Sequence, residues 1–175
     1  MSVDFKTFCE LAPAISEARY PVILRGRHGI GKSQVVYQIA EKMGKVVVER
    51  RASQMTEGDL VGLPACDLES GSTKWLPPDW FKFACENGVV LFFDEVDRAT
   101  LEVRQGLFEL TDSRKLNGHK LHEDTVIFAA INGGEHGDQY QVADMDPAES
   151  DRYAVFDLEP TVKDWLDWGK DNIDP

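Results

Sequence analysis

The chain has 175 residues, of which 42% are hydrophobic and 29% charged; this is about one domain of ordinary globular composition, which excludes a disordered or fibrous chain. The net charge of −12 argues against a nucleic-acid surface, because binding a polyanion requires Lys and Arg to displace its counterions. Residues 135–175 carry twelve acidic against three basic side chains, which reads as a solvated acidic face or as a docking surface for a basic partner.

The first residues, MSVDFKTFCELAP, contain Asp4 and Glu10 and no long apolar run. They read as neither a signal peptide nor a membrane span, and a cytoplasmic location is expected. Phe5, Phe8, Leu11 and Ile15 recur near one helical face and predict a helix over 4–18, followed by a short buried strand at Pro21–Leu24. After the stretch GRHGIGKS, the apolar spacing of Val35, Val36, Ile39 and Ala40 predicts a helix from Ser33 to Lys42 that stops at Gly44. A strand follows at Val46–Val48. Between Gly58 and Pro78 the density of glycine and proline stops any continuous helix, and the Ser-Gly-Ser-Thr stretch before Trp75 fits the tip of a small β-hairpin. Val89–Phe93 and Thr125–Ile131 read as central strands, and Tyr153–Leu158 as a fifth strand. Strands alternating with helices imply an α/β fold with a mostly parallel sheet. Cys9, Cys66 and Cys85, like the four histidines His28, His119, His122 and His136, show no metal-site spacing; the cysteines read as thiols in a reducing compartment.

GRHGIGKS, Gly26 to Ser33, fits the pattern G-x-x-x-x-G-K-[ST] and lies after a predicted strand and before a predicted helix. In that context backbone N–H groups converge on phosphate oxygens and the helix presents its positive dipole end to them. Gly26, Arg27, His28, Gly29, Ile30, Gly31, Lys32, Ser33 and Gln34 are the candidate nucleotide-binding residues. Lys32 would neutralise the β- and γ-phosphates, and Ser33 would offer its hydroxyl to Mg²⁺. The strand Val89–Phe93 ends in Asp94 and Glu95, at the tip where parallel sheets bind ligands. Asp94 would hold Mg²⁺ through its water shell, and Glu95 would orient the water that attacks the γ-phosphate, which points to hydrolysis rather than group transfer. Asn132, at the end of the next strand, could position the same water, although an Asn before glycines is also ordinary turn chemistry.

Together these residues resemble the AAA+ ATPases, in the branch of MoxR-like proteins and dynein-related ATPase domains. The likeness covers about residues 20–160 and includes, besides GRHGIGKS and LFFDE, the segment TEGDLVG, the Trp75 region, DEVDRATLEVRQGLFELTDSRKLNG, AIN at 130–132 and DPAESDRY at 146–153. The resemblance implies a P-loop NTPase three-layer sandwich with a five-stranded parallel sheet and the branch's β-hairpin insert. It makes Gly26, Gly29, Gly31, Lys32 and Ser33 a Walker A motif, Asp94 and Glu95 a Walker B motif, Asn132 a sensor and Arg152 an arginine finger reaching the γ-phosphate of a neighbouring subunit. A local pair with Asp151 or Glu149 is the plainer role for Arg152; Arg98, Arg104 and Arg114 are lesser interface candidates. ATP and Mg²⁺ are the implied cofactors, and the implied partners are further copies in a ring, hexameric with a lid, and a protein substrate or adaptor. Residues 1–160 would be the ATPase core. Residues 161–175 would begin a linker towards a C-terminal helical lid, which itself is expected to be absent. The implied activity is a MoxR-like chaperone or remodelling motor; a nucleotide-gated scaffold with little hydrolysis and a P-loop phosphotransferase are the rival readings.

Overall fold

The computed structural model describes residues 2–133 and 151–164, together with residues 166 and 169. Residues 134–150, which include the start of the expected finger segment at 146–150, lie outside the described residues.

The first half alternates strand and helix: β1 (Ser2–Val3), α1 (Phe5–Glu17), β2 (Val22–Arg25), α2 (Lys32–Lys42) and β3 (Val47–Arg51). Asp4, directly after β1, begins α1 by accepting the Thr7 amide at 2.7 Å, an N-cap that satisfies one of the helix's orphan donors. Next come α3 (Glu57–Val61), the hairpin strands β4 (Leu63–Asp67) and β5 (Ser72–Leu76), α4 (Asp79–Glu86), β6 (Val90–Asp94), α5 (Leu101–Ser113), the two-residue strands β7 (Lys115–Leu116) and β8 (His119–Lys120), β9 (Val126–Ile131) and β10 (Ala154–Leu158).

The main sheet has the order β1-β10-β2-β9-β6-β3, and every pairing in it is parallel. The five strands expected from sequence are all present. A sixth is added at the edge, where Ser2 and Val3 pair with Asp157 and Leu158. Two residues are too few for any periodicity, so only the partner strand reveals this one.

Period-two alternation divides the central strands between two cores. Leu91 and Phe93 of β6, and Ile127, Ala129 and Ile131 of β9, face α4 and α5 with Trp80, Phe81, Leu107 and Leu110. Val90, Phe92, Val126, Phe128 and Ala130 face the opposite way, onto Phe8 and Ala12 of α1 and Val35, Val36 and Ile39 of α2. Helices on both faces of a parallel sheet bury it twice, which is why these strands read as unbroken apolar runs. The result is the expected three-layer α/β sandwich.

The insert is an antiparallel hairpin in which Leu63 pairs with Leu76 and Asp67 with Ser72. Its tip is tied by Asp67, which accepts the Ser70 hydroxyl at 2.8 Å and the Glu69 amide at 3.1 Å and pairs with Lys74. Lys74 and these hydrogen bonds hold the Asp67 carboxyl at about 2. Ser72 and Thr73, expected in the tip, belong to β5, which shortens the turn to residues 68–71.

Candidate functional site

The loop between β2 and α2 leaves the C-terminal edge of the sheet, where a parallel sheet leaves a crevice for ligands. Gly29 and Gly31 have φ of +78° and +97°, a left-handed backbone open mainly to glycine. Gly26 is required for a different reason: a Cβ there would lie 2.7 Å from Ile30 Cδ1 and 3.1 Å from the Leu158 carbonyl oxygen. The arrangement is therefore a backbone cradle, with Arg27, His28, Gly29 and Gln34 exposed and Ile30 half-buried.

Lys32 opens α2 and is only 8% exposed. Its ammonium donates to the carbonyls of Gly26 and Arg27, both at 2.9 Å, and to Oδ1 of Asn132 at 3.1 Å. Burial pulls the Lys32 pKa below its ordinary value, while Asp94, Asp97 and Glu95 act in the opposite direction. Ser33 Oγ donates to Asp94 Oδ2 at 3.3 Å, so the start of α2 is joined to the end of β6. Asp94 also accepts the Glu95 amide at 2.9 Å. Lys32, Ser33, Asp94, Glu95 and Asn132 thus converge at one end of β2, β6 and β9.

Three features of this end were not singled out from sequence. The Ser53 hydroxyl, in the turn after β3, donates to Glu95 Oε2 at 2.5 Å, while Glu95 itself has a left-handed backbone with φ 55°. Asp97 is 4% exposed, and neither carboxylate oxygen has a hydrogen-bond partner in good geometry among the described residues. Burial pushes its carboxyl up, offset in part by the nearby Asn132 amide. Phe5 reaches the loop from α1, its ring within 3.6 Å of where a Gly31 side chain would begin. The signal for Asp97 was present in the run DEVDR; for Ser53, a single hydroxyl after a strand, there was none.

Arg152 lies elsewhere. The β10–β2 register places Ala154 beside Val22 and Asp157 beside Arg25, so Arg152 precedes the level of the loop by five residues, roughly 17 Å at about 3.3 Å per residue. It sits at the opposite end of the sheet from its own phosphate loop. Its Nε is 3.7 Å from Asp112 Oδ1 and its guanidinium is 5.9 Å from the Phe108 ring centroid. Among the described residues Asp112 on α5 is an acid beside it; Glu149 lies outside the described residues. Arg98 is exposed, but Arg104 is 8% exposed and Arg114 donates to the carbonyls of His122 and Thr125. Arg104 is thus buried within this chain, and Arg114 is half-buried.

Among known proteins, the AAA domain of the dynein-related subfamily matches residues 21–153, a span that runs from β2 through the cradle to the start of β10. The chain belongs to this family of AAA+ ATPases. Relatives include protein CbbQ of Hydrogenophilus thermoluteolus, 30% identical over 149 residues, covering 81% of this chain and 54% of CbbQ. Midasin of Giardia intestinalis is 36% identical over 113 residues, covering 63% of this chain and 2% of midasin. Protein NorQ of Paracoccus denitrificans is 30% identical over 97 residues, covering 55% of this chain and 35% of NorQ. The chain thus spans about half of CbbQ or less of the others. A crystal structure of a candidate ATPase from Cytophaga hutchinsonii superposes with a TM-score of 0.65 at 16% identity, covering 97% of this chain and 51% of that one, which shows the shared fold. The resemblance to the MoxR-like and dynein-related branch is borne out, as is the P-loop NTPase architecture. Among the described residues no helix is long and apolar enough to cross a membrane.

Proposed function

We propose that the chain binds ATP with Mg²⁺ in the cradle, hydrolyses it, and uses the cycle as a ring of copies to remodel a protein partner. The residues fit the group. The loop backbone is open at Gly29, where nothing lies within 4 Å of a would-be side chain, Lys32 supplies a buried cation, and Ser33 with Asp94 supplies the hard oxygen donors that Mg²⁺ prefers. When bound, Mg²⁺ neutralises charge on the phosphate oxygens.

Lys32 would hold the β- and γ-phosphates, Glu95 would orient and polarise the attacking water, and Asn132, already bonded to Lys32, would position that water from the other side. Ser53 fixes the Glu95 carboxylate and so sets where the water would be held. Residues 1–160 form the ATPase core on this reading, with 161–175 beginning a connection towards a lid.

The observation that carries the ring is the position of Arg152, an entire strand length from its own loop. A guanidinium there cannot reach its own γ-phosphate, but it can face the loop of a neighbouring copy, so that each site is complete only between chains. The test is Arg152→Ala. Mg-ATP binding is expected to persist while turnover falls on the order of 10³-fold. Mixing this variant with Lys32→Ala is expected to restore activity at interfaces where an intact loop meets an intact finger. Turnover per chain that stays flat with concentration, without recovery on mixing, would leave Arg152 as a local partner of Asp112. To find the protein partner, Glu95→Gln is the bait of choice, since it is expected to hold ATP uncleaved.

A further inference from the structure

Arg152 is held from two sides, and each support leads back to the chain's own site. On the backbone side, the Tyr20 hydroxyl donates to the Asp151 carbonyl at 2.8 Å, and the Ala154 amide donates to the Pro21 carbonyl at 2.9 Å. Tyr153, between them, is 6% exposed and packs in the core. Residues 20 and 21 lead directly into β2, the strand that ends in the phosphate loop.

On the side-chain face, the guanidinium lies over Phe108 and beside Asp112, which are four residues apart on α5 and therefore share one helical face. Helix α5 begins at its Thr100 cap, just after the turn Val96–Arg98 that follows Glu95. An arginine has many rotamers, and ordering it before the encounter removes an entropy cost from every turnover. The bonds that order it here are of a kind that adds little to folding: Tyr20 is 46% exposed, and the Arg152 and Asp112 side chains are 40% and 68% exposed.

We propose that Tyr20 and Asp112 are positioning residues that, with Phe108, hold Arg152 in the orientation in which it is presented to a second copy of this chain. This rests on the reading of Arg152 as a finger acting in trans.

The test uses a mixture of two full-length chains. The donor carries Lys32→Ala and supplies only a finger; the acceptor carries Arg152→Ala and supplies only a loop. Tyr20→Phe or Asp112→Asn placed in the donor is expected to lower kcat of the mixture about three- to tenfold with KM for ATP unchanged. The thermal midpoint of the donor is expected to move by no more than about 2 °C. The loss is expected to follow the chain that supplies the finger. An equal loss when the substitutions sit in the acceptor would make them structural, and no loss in the donor would remove the positioning role. A gain with Asp112→Asn would mean that Asp112 restrains the finger, which also overturns the proposal. An inactive parent mixture would overturn the finger reading itself, and it would do so before Tyr20 or Asp112 is changed.

Discussion

Replacing Lys32 by Met separates what this residue does for the fold from what it does for a nucleotide. The ammonium is 8% exposed and makes three hydrogen bonds to protein oxygens. Each charge-assisted bond contributes about 1.5–3 kcal/mol net, whereas holding an ammonium out of water costs several kcal/mol. Met keeps the length of the stem and removes both terms. They offset only in part, because the Gly26 and Arg27 carbonyls and Asn132 Oδ1 lose this donor, so stability is expected to fall by about 2–4 kcal/mol, a midpoint drop of about 4–16 °C for a chain of this size. Nucleotide binding has no such compensation. Removing one partner of a buried charge pair costs about 2–5 kcal/mol, which is roughly 30- to 5,000-fold in Kd at about 1.4 kcal/mol per tenfold. A fluorescent ATP analogue titrated into both proteins gives the affinity, and differential scanning calorimetry gives the midpoint. An affinity within threefold of the parent would refute the phosphate-cradle assignment. A collapse of the midpoint with binding otherwise normal would make Lys32 a strut of the loop instead.

Gly62, at the base of the hairpin, has φ 85°, and a Cβ there would lie 2.1 Å from the Leu76 carbonyl oxygen. Gly62→Ala is expected to destabilise by about 2–4 kcal/mol through backbone strain at a position the strands cannot vacate, read as an earlier urea midpoint; an unchanged midpoint would mean that the hairpin base is not closed as described. Asp157 accepts from Arg25 at 2.9 Å through Oδ2, which holds its carboxyl below the usual aspartate range. A depressed carboxylate stabilises the fold above its unfolded pKa of about 3.9 and loses that contribution as pH falls through the folded value. Asp157→Asn is therefore expected to cost about 1 kcal/mol near neutral pH, given the partial exposure of the pair, and to converge with the parent in acid. A constant gap between the two unfolding curves down to low pH would contradict this.

The cradle was legible in the sequence because each part of it is a local matter. Positive φ at Gly29 and Gly31 and the helix that starts at Lys32 depend on neighbours a few residues away, and GRHGIGKS contains them all. The acids at 94 and 95 could be read because five apolar residues before them mark a strand buried on both faces. The same holds for the hairpin, whose glycines and prolines forbid a continuous helix. Tertiary structure alone decided what is brought together across long stretches of chain. Ser53 meets Glu95 only because β3 and β6 are adjacent and in register. Asp112 meets Arg152 because α5 and the lead-in to β10 share one core, through Leu107, Leu110 and Tyr153. The edge strand Ser2–Val3 exists through its partner alone. Local patterns specify which conformation a segment adopts, since dihedral preference and periodicity are properties of a few residues. Which side chains then face one another depends on strand order and register, and these are set by burying all the apolar faces at once.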